Sequence, residues 1–112
     1  MATESIINLD SALKICRIIN GMWQVSGAHG FINREDAIRG MELYHNNGFI
    51  TWDLADHYGP AEDFVKIFRE RIIRENGVEG LKDVRFFTKW VPRPQKITKS
   101  IVNAALFSMI FN

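Results

Sequence analysis

The sequence predicts an α/β protein, a parallel sheet with amphipathic helices packed on it, and three observations carry the prediction. Strand-like and helix-like segments alternate along the chain. Phe49-Ile50-Thr51-Trp52 is short, apolar and β-branched, the composition of a strand buried on both faces. Asn47-Gly48 and Asn76-Gly77 close two helical patterns, where a left-handed residue would end a helix.

Each element follows from its residues. Ile15 to Val25 is mostly apolar and β-favouring with one interrupting glycine, and predicts the first strand. Ser26, Gly27 and Gly30 make a loop. Asn33 then offers an N-cap with Asp36 three residues on, close to a capping box, and predicts a helix over 34–46. Ala37, Ile38, Met41 and Tyr44 share one face of it. The second strand, Phe49–Trp52, runs straight into Asp53. Pro60 suits the first turn of a second helix, with Glu62 and Asp63 at its positive end. Its inward stripe is Phe64, Ile67, Phe68, Arg71 and Ile72, Arg71 through its aliphatic stem. Val84 to Thr88 is the third strand, ending at Lys89 and broken by Pro92 and Pro94. Thr98 or Ser100 would cap a third helix through Ile101, Val102, Ala105 and Leu106. The result is three βα units, the last one clipped.

Composition bounds the function classes. With 46% hydrophobic residues in 112, the chain can bury one globular core, which argues against disorder. A net charge of +1, with no like-charge run longer than two, gives no electrostatic footprint for nucleic acid or an anionic membrane. The lone Cys16 cannot form an internal disulfide and reads as a small buried hydrophobe. Glu4 and Asp10 near the start are unlike a signal or transit peptide, so the cytoplasm is the expected compartment. No metal spacing is present. Ser26-Gly27-Ala28-His29-Gly30 reads as a structural turn, since no Lys-Ser/Thr follows it and GxGxxG is absent. His57 reads as a loop residue, and His29 and His45 as surface residues.

Two motifs carry chemistry. Trp52-Asp53-Leu54-Ala55-Asp56-His57-Tyr58-Gly59 gives Asp-x-Ala-x-x-Tyr-Gly, and Thr88-Lys89-Trp90 follows at the end of the next strand. The conjunction resembles the aldo-keto reductases, over roughly Leu13 to Leu106, and Gly21-Met22-Trp23 is similar to the Gly-x-Trp of that family. The resemblance implies a partial (β/α)₈ TIM barrel of about three of its eight units, and NADPH-dependent reduction of an aldehyde or ketone. It implies Tyr58 as general acid, Lys89 as its modulator and Asp53 as the partner of Lys89. It further implies Gly21, Met22 and Asp53 on the cofactor and Trp23 and Trp90 on the substrate pocket. The chemistry is coherent, because a phenol with a reference pKa of ~10 needs a neighbouring ammonium, and that ammonium needs a carboxylate to hold it.

Residues 100–112 carry no charge and depart from the family pattern. The expectation is that residues 1–112 are a truncated domain of this family, lacking its catalytic His and most of the NADP site, and inactive alone. An exposed strand edge would then favour self-association. The alternative is an interaction or regulatory protein reusing part of the fold.

Overall fold

The computed structural model describes residues 5–92, and within them the predicted alternation is present with one rearrangement at its start. The strands are β1 (Ile6–Asp10), β2 (Leu13–Cys16), β3 (Asn20–Gly21), β4 (Thr51–Asp53) and β5 (Arg85–Phe87), and the helices α1 (Arg34–Asn46) and α2 (Ala61–Asn76). β3, β4 and β5 form a parallel sheet in that order. Its register aligns Asn20, Trp52 and Phe86 in one row and Gly21, Asp53 and Phe87 in the next.

The expected first strand over 15–25 is corrected. Ile15 and Cys16 end the second arm of an antiparallel hairpin, only Asn20 and Gly21 join the parallel sheet, and Trp23–Ser26 is a 3₁₀ turn. The hairpin turn is local chemistry: the Asp10 carboxylate accepts from Ser11 Oγ at 3.0 Å and from the Ala12 N–H at 3.1 Å. The Cys16 N–H donates to Thr51 Oγ1 at 2.9 Å and its Sγ to the Gly48 carbonyl at 3.4 Å, which seats the hairpin at the start of β4. Cys16 is fully buried, as expected.

The helices form where their caps place them. Asn33 Oδ1 accepts the Asp36 N–H at 3.1 Å, and Gly48 takes a φ of 86° just past the end of α1. Pro60 stands one position earlier than expected, as the N-cap residue of α2. Both helices pack on the Trp52–Phe86 face of the sheet around Ile38, Met41, Phe64, Phe68 and Ile72. Arg71 turns toward α1 and donates to Glu35 at 2.7 Å. The opposite face, with Gly21, Asp53 and Phe87, fronts a cavity of ≈ 440 Å³ completed by Leu9, Ile15 and Ile19. The predicted third helix, with Pro94, lies outside the described residues. Among the described residues no helix is long and apolar enough to cross a membrane.

His45 departs from its surface reading. Its ring meets Phe68 edge-on at 5.6 Å, and its Nδ1 is buried with no hydrogen-bond partner among the described residues. Burial pushes its pKa below the ordinary value, because the charged form loses its hydration. The folded protein therefore binds fewer protons than the unfolded chain between the two pKa values. The associated stability is held above about pH 6.5 and lost as pH falls from there toward the folded value. Melting temperatures at about pH 7.5 and about pH 5.5 should differ, and His45→Leu should flatten the difference. An equal drop in the variant would remove His45 as the cause.

Candidate active site

Strand alternation positions the first group. Trp52 points into the helical core, so Asp53, the last residue of β4, points to the opposite, open face. Beyond the strands the ladder continues into the loops: the Leu54 N–H donates to the Phe87 carbonyl at 2.8 Å and the Asp56 N–H to the Lys89 carbonyl at 3.0 Å. These bonds carry Lys89 alongside Asp53. Its Nζ lies 3.3 Å from each Asp53 carboxylate oxygen and donates to the Leu54 carbonyl at 3.0 Å.

Tyr58 follows in a turn that its own backbone closes, its N–H donating to the Ala55 carbonyl at 3.2 Å and its carbonyl accepting the Ala61 N–H at 3.1 Å. That turn lays the ring under the ammonium, with Lys89 Nζ 4.8 Å from the ring centroid. Partial burial lowers the Lys89 pKa, but Tyr58 and the Asp53 carboxylate outweigh it and leave the group above the ordinary lysine value. Lys89 is thus a held cation.

The 3₁₀ turn brings Trp23 to the same place. The Met22 N–H donates to the Asp53 carbonyl at 2.9 Å, so Gly21 and Met22 stand directly beside Asp53. Met22 sends its side chain into the core, leaving its backbone at the site, while Trp23 meets the Tyr58 ring edge-on at 5.3 Å. Six of the seven site residues expected from sequence are therefore adjacent: Gly21, Met22, Trp23, Asp53, Tyr58 and Lys89. Trp90 is partly buried next to Lys89 but does not join the ring cluster among the described residues. His57 does join it, 4.9 Å from Tyr58 and 6.2 Å from Trp23. Its position next to Tyr58 was the only sequence signal for this.

Gly59 permits the junction. Its φ is 55°, and a Cβ there would run into the Ser26 carbonyl group, with the Ser26 carbonyl carbon at 3.0 Å. The loop carrying Tyr58 thereby closes against the turn carrying Trp23. Gly59→Ala should cost about 1–3 kcal/mol, from left-handed backbone and a backbone clash together. A urea midpoint equal to that of the parent protein would show that the loops separate without penalty.

The arrangement offers a hydroxyl beside a fixed cation, a carboxylate that holds the cation, and aromatic walls open to solvent. That is equipment for moving a proton to or from a bound molecule. Among the described residues no group of three or more His, Cys, Asp or Glu side chains could hold a metal ion. The family described as the aldo/keto reductase family has a model that matches residues 17–107. No curated protein matches the chain.

Proposed function

We infer the function from one premise, that this chain belongs to the aldo/keto reductase family and is an oxidoreductase-like domain. The finer reading is NADPH-dependent reduction of an aldehyde or ketone, with Asp53, Tyr58 and Lys89 as its proton-transfer apparatus. The observation that carries it is the Lys89 ammonium, bonded to Asp53 at 3.3 Å while standing over the Tyr58 ring at 4.8 Å. The sheet is read as part of a (β/α)₈ barrel wall, because both helices cover one face and the other carries the polar site.

The residues fit the cofactor. Gly21 leaves open space where a Cβ would project, and it shares the ≈ 440 Å³ cavity with Asp53 and Phe87. Gly21, the Met22 backbone and Asp53 would hold the nicotinamide end, and Trp23 would wall the carbonyl compound. NADPH, when bound, supplies the hydride. Tyr58 gives its hydroxyl proton to the carbonyl oxygen as negative charge develops there, and Lys89 stabilises the phenolate left behind. Asp53 keeps Lys89 charged and in place.

We expect residues 1–112 alone to turn over little, since orientation contributes ~7–11 kcal/mol and, among the described residues, the cavity beside Asp53 is open and lined by neither Tyr58 nor Lys89. The test is a chimera in which residues 17–107 replace the matching segment of an active family member. Oxidation of NADPH with 4-nitrobenzaldehyde supports the reading. A folded chimera with no turnover refutes it.

A further inference from the structure

Asp56 bonds the chain just after Lys89, on either side of Trp90. Its N–H donates to the Lys89 carbonyl at 3.0 Å, and its Oδ1 accepts the Val91 N–H at 3.1 Å. The same oxygen lies 3.3 Å from His57 Nδ1, and the His57 ring leans on Tyr58. Turn formation does not explain these bonds, because Val91 is 35 residues away in sequence. β5 ends at Phe87; the Asp56 N–H carries the ladder on to Lys89, and the Asp56 carboxylate adds a side-chain bond beyond it at Val91.

We propose that Asp56 is a positioning residue for the Lys89–Tyr58 pair, its carboxylate holding the Val91 N–H two residues past Lys89 so that the ammonium stays between Asp53 and the Tyr58 ring. The inference rests on the role given to Lys89 above. A lysine side chain has four rotatable bonds and reaches Asp53 and Leu54 in many ways if its backbone drifts. With the backbone fixed at the carbonyl of Lys89 and at the N–H of Val91, one geometry is selected. An acceptor oxygen is what the clamp requires, and Asn supplies one. The pairing with His57 falls on the same oxygen and adds a contact on the Tyr58 side.

The experiment reads Lys89 directly, in the full chain without cofactor or substrate. In protein labelled with ¹³C-lysine, the Lys89 Hε–Cε signal, assigned through Lys89→Arg, is titrated while exchange of the Val91 amide is followed. Asp56→Ala should bring the Lys89 midpoint down toward that of an ordinary lysine and speed Val91 exchange about five- to tenfold, the loss of one hydrogen bond. Asp56→Asn should preserve both. Should Asp56→Ala not fold, Asp56→Glu moves the carboxylate by one methylene and should change the same two readouts in the same direction. An unchanged Lys89 midpoint in the folded Ala or Glu variant overturns the proposal. So does an Asn variant that behaves like Ala, since charge and not the acceptor would then matter. Failure of the reductase reading is a separate event, because a reaction indifferent to Tyr58 would leave these two readouts untouched.

Discussion

Tyr58→Phe is expected to lower carbonyl reduction by the chimera about 10²–10⁴-fold, the range supplied by a positioned general acid. In free energy this is roughly 2.7–5.5 kcal/mol on the barrier. The substitution isolates the hydroxyl. Phenylalanine keeps the ring that meets Trp23 at 5.3 Å and His57 at 4.9 Å and that lies 4.8 Å from Lys89 Nζ. The walls of the pocket and the fold should therefore survive. Because the proton moves only in the transition state, the loss should fall on kcat and leave KM close to its starting value. Steady-state kinetics with 4-nitrobenzaldehyde at saturating NADPH make the comparison. A kcat within about threefold of the parent would take Tyr58 out of the chemistry, since so small a change is well below what general acid catalysis contributes.

The same residues show why part of the site was legible in sequence. Asp53, Tyr58 and Lys89 are fixed by local rules, a strand end, a five-residue step and the next strand end, and parallel register then brings them together. Asp56 and His57 obey no such rule. The Asp56 carboxylate bonds Val91, 35 residues away, and His57 meets Trp23 across the chain, so beyond the adjacency of His57 to Tyr58 no local pattern marks these contacts. The helices were readable for the reason the site triad was, since Asn33, Gly48 and Gly77 act on their immediate neighbours. The first strand was not. Ile15 to Val25 is apolar throughout most of its length, and uniform hydrophobicity cannot distinguish a hairpin arm, a two-residue strand and a 3₁₀ turn in succession. The Asp10-Ser11 turn between Ile6-Ile7 and Lys14-Ile15 was the available signal for the hairpin. His45 was misplaced because a polar residue in the last turn of a helix ordinarily faces water. Here the Phe68 ring of α2 covers it.

That ring is also where the fold is most exposed to a single change. Phe68 is fully buried, and its ring stands 5.6 Å from His45, 5.7 Å from Trp52 and 6.2 Å from Phe86. One side chain thus joins α1, α2, β4 and β5. Phe68→Ala should cost about 3–5 kcal/mol, the lost transfer free energy plus the cavity left among rings that cannot all collapse inward. Against a whole-domain stability of roughly 5–15 kcal/mol, that loss alone brings a small protein near its unfolding threshold. Phe68→Leu, which keeps most of the volume, should cost less, about 1–2 kcal/mol. The consequence reaches the site through the sheet. Trp52 is the residue before Asp53, and Phe86 lies one residue before the strand end that leads to Lys89. A core that lets these rows shift would separate Asp53 from Lys89 before the chain unfolds. Urea unfolding of the two variants, followed by tryptophan fluorescence, measures the stability change. A Phe68→Ala midpoint shift worth less than about 1 kcal/mol would mean that the ring is not the tie between sheet and helices that its contacts describe.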